Sequence, residues 1–248
     1  MSAPVVLWDI DGTLVRSNGG RVAVNAFLRA LRLSCRLDND LPYPTDSGGK
    51  TDPQIALEML AAASIGEPHA MPILDTFSAT YLRELQQQRD ALVTDLRVLP
   101  GVAEILDHLR RRGVIQSLLT GNLQPVAKLK LACARIDGYL DFDLGAYGSD
   151  HADRSCLVPI VRTRLRQRFG QAAEDTHIVV VGDTPRDIAC ARAGGARAIA
   201  VATGNFTREQ LEPHQPDVLL DDLSDTQTVQ QVLLQYSKSR THAPAPIV

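Results

Sequence analysis

Val5-Val-Leu-Trp-Asp-Ile-Asp-Gly-Thr-Leu14 is an apolar run that leads directly into two aspartates. The part Val5–Ile10 is too short for a typical helix and is rich in β-branched residues, which predicts a strand buried on both faces. Asp9 and Asp11 are two residues apart, so both side chains leave the strand end on the same side. Carboxylates held this close repel each other, and a bound cation or a shared proton relieves the repulsion. The stretch therefore predicts chemistry at the carboxyl end of a buried strand.

Two later segments repeat the pattern of an apolar run that ends in polar residues, which argues against a simple strand-end turn with solvated aspartates. His177-Ile-Val-Val-Val-Gly-Asp-Thr-Pro-Arg-Asp187 contains a predicted helix start, with Thr184 as cap and Pro185 in the first position. Val114–Leu119 ends in Thr120-Gly-Asn122, where a hydroxyl and backbone N–H groups can hold an anion. Ligands of open α/β folds bind at the carboxyl ends of parallel strands, so we expect these groups at one edge of the sheet.

The segment from Arg16 to Leu96 has helical periodicity throughout, and no strand of convincing length interrupts it. Its three apolar stripes are Val24, Phe27, Leu28 and Leu31; the stretch from Asp52, the predicted helix cap, through Ile55 and Met59 to Gly66; and Leu74, Phe77, Tyr81 and Leu85. This pattern predicts an all-helical insertion between the first strand and the rest of the chain.

From residue 97 onward, helical and strand patterns alternate. Helices are predicted at Pro100–Leu109, Pro125–Ala134, Ser155–Phe169 and Pro185–Ala193, strands at Phe142–Ala146, Ile178–Val181 and Ala198–Ala202, and capping boxes at Thr207–Gln210 and Ser224–Gln227. The chain is thus predicted to be α/β, with a Rossmann-like, mostly parallel sheet formed by residues 1–15 and 97–236. Residues 16–96 form the helical insertion, and residues 237–248 are predicted to be a disordered tail.

Bulk properties exclude several classes of protein. The net charge of −3 argues against a nucleic-acid binder that works by neutralising phosphates. No apolar run reaches 18 residues and no basic-then-apolar leader precedes the first strand, so we expect a cytoplasmic protein without membrane contact. The four cysteines lack metal-site spacing, and free thiols are expected in a reducing compartment. The sequence does not reveal the oligomeric state.

These motifs resemble those of the haloacid dehalogenase-like (HAD) superfamily of phosphohydrolases. The resemblance covers the Asp-x-Asp-Gly-Thr motif at Asp9–Thr13, the strand-end threonine at Thr120, and Gly-Asp-x-x-x-Asp at Gly182–Asp187. It extends over nearly the whole chain and is closest to members with a helical cap after the first motif, such as phosphoglycolate phosphatase. It implies a cap that closes over the active site, and a Mg²⁺-dependent phosphatase that hydrolyses a small phosphorylated metabolite through an aspartyl-phosphate.

The resemblance also implies roles for the four aspartates. Asp9 would be the nucleophile, and Asp11 would protonate the leaving oxygen and then activate the hydrolytic water. A carboxylate oxygen of Asp9, the backbone carbonyl of Asp11, and Asp183 would be the Mg²⁺ ligands. Asp187 would belong to the same metal site by orienting a water molecule or Asp183.

Substrate contacts are expected from two places. Thr120, with the N–H groups near Gly121 and Asn122, would hold the oxygens of the transferring phosphoryl group. In the cap, Ser47-Gly-Gly-Lys-Thr-Asp-Pro53 contains a glycine turn that would bring Lys50 over the site. Lys50 would then contact a second anionic group of the substrate; a solvated lysine in a helix-start loop is the alternative.

The basic residue that binds the phosphoryl group and the nucleophile is expected to be Arg154. Many HAD enzymes have a lysine at the corresponding place, immediately before a helix. A guanidinium can bind bidentately, although its reach differs from that of an ammonium. Lys128 and Lys130, eight and ten residues after Thr120, are the alternatives.

Other activities remain open on the same core. Haloacid dehalogenation is disfavoured, because Asp11 supplies an acid that C–halogen cleavage does not need. A phosphonatase would form a Schiff base, for which Lys50 is a candidate, and a β-phosphoglucomutase-like mutase would differ in its cap contacts. A non-catalytic, metal-dependent binding module is a different class, and the joint presence of Asp9 and Asp11 argues against it.

Overall fold

A computed structural model describes residues 5–170 and 177–236 of the chain. Its strands are β1 (Val5–Trp8), β2 (Val15–Ser17), β3 (Leu96–Val98), β4 (Ile115–Leu118), β5 (Ile178–Gly182), β6 (Arg197–Val201) and β7 (Val218–Leu220). Five of them form one sheet in the order β4-β1-β5-β6-β7, and every pair in it is parallel. Strands β2 and β3 form a separate antiparallel pair.

Helices surround this sheet and fill the insertion. They are α1 (Val22–Cys35), α2 (Asp52–Ala62), α3 (Glu67–Gln87), α4 (Arg89–Asp95), α5 (Val102–Arg111), α6 (Gln124–Cys133), α7 (Leu157–Phe169), α8 (Pro185–Ala193), α9 (Arg208–Leu211) and α10 (Thr226–Tyr236). The chain is therefore an α/β protein whose mostly parallel sheet carries an all-helical insertion, α1–α4, between β2 and β3. None of the described helices is long and apolar enough to cross a bilayer.

The alternation of side chains along β1 divides the core into two layers. Val6 and Trp8 pack with helices α5, α6 and α10, whereas Val5 and Leu7 pack with α7 and α8. A third apolar cluster lies in the insertion, where Phe27, Phe77, Tyr81 and Leu85 are buried, and it extends to Leu123 and Val126 at the start of α6. Helix α6 thus contacts both the sheet and the insertion, which places its side chains next to the space between them.

Several predicted local features are wrong. No strand forms at Phe142–Ala146, where only Ala146 bridges to Leu119. The carbonyl of Phe142 instead accepts hydrogen bonds from the side chains of Gln124 and Tyr147, which replace the ladder of a strand. Strand β7 was not predicted, because only three residues form it.

Two helix caps also differ from the predicted ones. Thr51, not Asp52, caps α2, since its hydroxyl accepts from the Gln54 N–H. Asp225, not Ser224, accepts from the Thr228 N–H at the start of α10. The capping box at Thr207–Gln210 is confirmed. The predicted disordered tail lies outside the described residues, and the domain bounds stay a prediction.

Candidate active site

The strand register brings three polar strand ends together. Trp8 on β1 lies opposite Leu118 of β4 and Val181 of β5. The residues that follow these positions, among them Asp9, Thr120 and Asp183, therefore meet at one edge of the sheet. All of them line a cavity of about 680 Å³ that lies between this edge and the helical insertion.

Three buried carboxylates meet at this edge of the sheet, and two of them, Asp9 and Asp183, line the cavity. Asp9, Asp183 and Asp187 offer oxygens that all lie within 4.8 Å of one another. Burial, only partly offset by Arg154, raises the pKa of Asp9 to about 7. Burial together with the Asp9 charge raises the pKa of Asp183 well above its usual value. Burial, together with repulsion between the carboxylates, thus destabilises the ionised forms, as expected where a cation is needed to balance them.

This cluster fits a hard divalent cation. Its donors are oxygens only, which Mg²⁺ prefers over nitrogen or sulfur. Thr13 donates to Asp183 over 3.2 Å, and Asp187 accepts from the N–H and the hydroxyl of Thr184 in a capping box. Any side chain at Gly12 or Gly204 would overlap the Asp183 carboxylate. These hydrogen bonds and close contacts therefore fix the positions of the Asp183 and Asp187 carboxylates.

Arg154 lies beside the nucleophile candidate. Its Nη2 donates to Asp9 Oδ1 over 2.8 Å, to the Leu119 carbonyl over 3.2 Å, and to Asp187. A short 3₁₀ turn, capped by Asp153, presents it to the site. Its side chain is 6% exposed, and its buried Nε has no acceptor among the described residues. Arg154 thus balances two carboxylates at the edge of the cavity.

Lys130 forms an ion pair with Asp11, the second aspartate of the first motif. Its Nζ lies 2.6 Å from Asp11 Oδ2 and 2.7 Å from Asn122 Oδ1, and only 5% of its side chain is exposed. Asn122 also donates to Asp11 over 2.8 Å and to the Thr120 hydroxyl over 2.9 Å. Burial alone would raise the pKa of Asp11, but Lys130 and Asn122 outweigh it and hold that pKa below its ordinary value.

The two alternatives to Arg154 therefore differ in position. Lys130 lines the cavity, whereas the Lys128 ammonium lies 5.5 Å from the centre of the Phe142 ring, outside the residues that line it. Arg154 contacts Asp9, and Lys130 contacts Asp11. The structure thus brings two cations, not one, to the predicted site. Lys130 had a sequence signal, because it lies on the same face of α6 as the buried residues Val126, Ala127 and Leu131.

Lys50 lies on the cavity wall but is already paired. Its Nζ is 2.7 Å from Glu58 and 3.6 Å from Asp46. The loop that carries it docks on the core, since Arg186 binds the Gly48 carbonyl over 2.6 Å and Arg154 binds the Gly49 carbonyl over 3.2 Å. The insertion therefore covers the cavity in this structure.

Asp52 and Thr51 extend the docking contact and were not predicted as site residues. The Thr51 hydroxyl donates to the Ala152 carbonyl over 2.5 Å, and the Asp52 carboxylate accepts from the Leu123 N–H over 2.9 Å. Burial raises the pKa of Asp52 to about 6, against the opposing effect of Lys130. Gly121 lies so close to the Lys50 carbonyl that a side chain there would overlap it.

Comparison with known proteins decides the family. The sequence model described as haloacid dehalogenase-like hydrolase matches residues 3–195. The chain belongs to the haloacid dehalogenase-like hydrolases. The predicted resemblance is confirmed, and the enzyme is a hydrolase whose curated relatives are named as phosphatases.

Relatives of this hydrolase cover almost its full length. A probable phosphatase, IndB, from Dickeya dadantii is 31% identical over 95% of this chain and 97% of its own. A phosphoglycolate phosphatase from Pectobacterium atrosepticum is 25% identical over 97% and 95%, respectively. The crystal structure of CbbY from Rhodobacter sphaeroides in complex with phosphate superposes with a TM-score of 0.63 over 90% of this chain and 96% of that one, at 20% identity. The last comparison shows the shared fold.

Proposed function

We propose that this hydrolase is a Mg²⁺-dependent phosphatase that cleaves a small phosphorylated metabolite through an aspartyl-phosphate at Asp9. The convergence of Asp9, Asp183 and Asp187 within 4.8 Å carries the proposal. A phosphate dianion could not approach three carboxylates unless cations balanced them. Arg154 supplies one positive charge at this place, and the oxygen donor set suits a divalent metal.

In the first step, Asp9 attacks the phosphorus atom and the bond to the leaving oxygen breaks. Arg154 holds Oδ1 of Asp9 and leaves Oδ2 to attack, while the positive charge of its guanidinium stabilises the phosphoryl group. The hydroxyl of Thr120 accepts from Asn122, so its own proton is free to donate to another phosphoryl oxygen. Gly121 and Asn122 form the adjoining wall of the cavity.

Asp11 acts as the general acid and then as the general base. It protonates the leaving oxygen in the first step, and its carboxylate then takes a proton from the water that attacks the aspartyl-phosphate. Nearly half of its side chain is exposed to the cavity, so it is accessible to both. Lys130 and Asn122 fix its Oδ2, which leaves Oδ1 for the proton transfers.

Asp9, Asp183 and the backbone carbonyl of Asp11 would hold the Mg²⁺, and Asp187 would orient Asp183 or a bound water. When bound, the ion supplies charge neutralisation for the phosphoryl oxygens and the nucleophile. Asp187 already bonds to Thr184 and Arg154, which suits a supporting position.

The environment of Lys50 in the insertion distinguishes a phosphatase from a phosphonatase. A phosphonatase would require Lys50 as a free amine nucleophile, but Lys50 is held by Glu58 and Asp46. That pairing favours the phosphatase. A mutase would use the same residues around Asp9, and only slow hydrolysis of the phospho-enzyme would distinguish it.

Phosphate release from p-nitrophenyl phosphate tests the proposal. We expect turnover with Mg²⁺, none in excess EDTA, and none from Asp9→Asn. Asp107→Asn is the control, because Asp107 pairs with Arg110 and Arg111 on the outer face of α5 and should retain full activity. Activity that survives EDTA, or that survives Asp9→Asn, would overturn the proposal.

A further inference from the structure

Three of the five cations that line the cavity form ion pairs with described carboxylates. Lys130 is bound to Asp11, Arg154 to Asp9 and Asp187, and Lys50 to Glu58 and Asp46. Arg21 is an exception. It lines the same cavity and is exposed, yet none of the described carboxylates forms an ion pair with its guanidinium. Its charge is therefore available to a ligand.

The backbone at Arg21 has an unfavourable conformation for an arginine. Arg21 occupies the position before α1 with φ 51°, in the left-handed region, and its side chain makes no capping hydrogen bond. Serine, threonine, asparagine and aspartate are preferred there, and a left-handed non-glycine residue costs about 1–2 kcal/mol. Of the five described non-glycine residues with positive φ, Arg21 alone lines the cavity, and strained backbone at a site is often functional.

Asp95 maintains this conformation from the end of α4. Its carboxylate accepts from the Gly20 N–H over 2.7 Å and the Val22 N–H over 3.3 Å, on both sides of Arg21. It also accepts from the Ser17 hydroxyl over 2.8 Å. These donors occupy the oxygens of Asp95, so it serves as the helix cap, and no described ion pair joins it to the Arg21 guanidinium.

The guanidinium of Arg21 lies near the inner wall of the insertion. Burial and the nearby Asp52 raise the pKa of Tyr43, which also lines the cavity, to about 12, and Arg21 is close enough to oppose that shift. Arg16 lines the cavity as well; its Nη1 donates to the Thr203 carbonyl over 2.9 Å and has no described carboxylate partner. The segment that follows the catalytic motif thus brings two unneutralised cations to a cavity that already contains a phosphoryl site.

We propose that Arg21 binds a second anionic group of the substrate, so that the preferred substrates are phosphorylated carboxylic acids or bisphosphates. The inference rests on the phosphatase function proposed above. A volume of about 680 Å³ is typical of pockets that enclose a whole small metabolite. The phosphoryl group lies at Asp9 and the second anion at Arg21, whereas Lys50 is neutralised by its own carboxylates.

Two matched substrate pairs test Arg21. Each pair differs only in a carboxylate replaced by a hydroxymethyl group: 3-phosphoglycerate against glycerol 3-phosphate, and the longer 6-phosphogluconate against glucitol 6-phosphate. We expect the wild-type enzyme to prefer the acid in at least one pair by about tenfold or more in kcat/KM, since a charged hydrogen bond has this value. Arg21→Gln should abolish that preference and leave p-nitrophenyl phosphate hydrolysis within about twofold.

Arg36→Gln is the matched control, because Arg36 has φ 55° at the other end of α1 and does not line the cavity. It should retain the wild-type preference, and Lys50→Met should reduce the preference less than Arg21→Gln does. A wild-type enzyme without preference in either pair, or a preference that survives Arg21→Gln, overturns the proposal.

Calorimetric binding separates this inference from the phosphatase proposal. If no substrate is hydrolysed, the phosphatase proposal fails, and Arg21 is then assessed by affinity alone. In at least one pair, the acid should bind the wild-type protein about tenfold more tightly than its hydroxymethyl partner, and Arg21→Gln should remove this difference. Equal affinities for both members of both pairs would overturn the role of Arg21 independently of turnover.

Discussion

Lys130 Nζ lies 2.6 Å from Asp11 Oδ2, while the other aspartate of the same motif, Asp9, bonds to Arg154 over 2.8 Å. Two carboxylates that are two residues apart thus have different cationic partners, from α6 and from the turn before α7. Their pKa values shift in opposite directions, because burial outweighs Arg154 and raises that of Asp9 to about 7, whereas Lys130 and Asn122 outweigh burial and lower that of Asp11. These shifts are those of the metal-free site and run opposite to the proposed roles, because a nucleophile acts ionised and an acid acts protonated. A cation bound beside Asp9 would lower its pKa and favour the ionised nucleophile.

Replacement of Lys130 should impair proton transfer at Asp11. Lys130→Met removes the contact that orients Asp11, and we expect kcat to fall by about 10²-fold, within the range that acid–base groups contribute. Lys128→Met is the control on the same helix, since Lys128 lies over Phe142 and should leave kcat unchanged. Steady-state kinetics with p-nitrophenyl phosphate measures both. Equal effects of the two substitutions would refute the role of Lys130.

Replacement of Arg154 should destabilise the metal-free protein. Arg154→Met leaves Asp9 and Asp187 buried without their cation, and loss of one partner of a buried pair costs about 3–5 kcal/mol. Arg168→Met, which breaks the half-exposed pair with Asp141, should cost less than about 1 kcal/mol. Denaturant unfolding in EDTA gives both free energies of unfolding. If Arg154→Met costs no more than the control, Arg154 does not balance these carboxylates.

The stability of the protein should depend on pH and Mg²⁺ together. The pKa of Asp9 is about 7 in the folded protein against 3.8 as the model-peptide value, and that of Asp183 is also raised. The folded state therefore binds more protons than the unfolded state between about pH 4 and 7, and metal-free stability falls as the pH rises through this window. Asp11, with a lowered pKa, contributes stability that is lost only below about pH 4.

Because Mg²⁺ binds the ionised carboxylates, it should raise the unfolding temperature more at about pH 8 than at about pH 5. Thermal unfolding with and without millimolar Mg²⁺ checks this. Asp183→Asn should weaken both the pH dependence and the response to Mg²⁺. An equal stabilisation by Mg²⁺ at the two pH values would show that these groups do not hold the ion.

The sequence predicted the meeting of strand ends because this depends on short-range rules. Parallel strands with a two-residue period place Asp9, Thr120 and Asp183 at one edge once the strands pair in register. The apolar stretch Phe142–Ala146 was mistaken for a strand, because composition does not distinguish a paired strand from a segment held by side chains such as Gln124.

The pairing of charges could not be predicted, because it depends on how helices and loops pack. Lys130 reaches Asp11 only because α6 contacts both the sheet and the insertion. Lys50 is predicted either to contact a second anionic group of the substrate or to be solvated, but in the structure it pairs with Glu58 on α2. Arg21 had no sequence signal, since its position before α1 depends on Asp95, which is 74 residues away in the chain.

Rapid quenching of wild-type enzyme during turnover, followed by borohydride reduction and peptide mass spectrometry, tests the central claim most directly. Reduction converts an aspartyl-phosphate to homoserine, so the modified residue identifies the nucleophile. We predict homoserine at Asp9, formed and lost at rates at least equal to kcat, and none when phosphorylated substrate is omitted. Steady turnover without homoserine at position 9, or with modification at another carboxylate, would contradict the account.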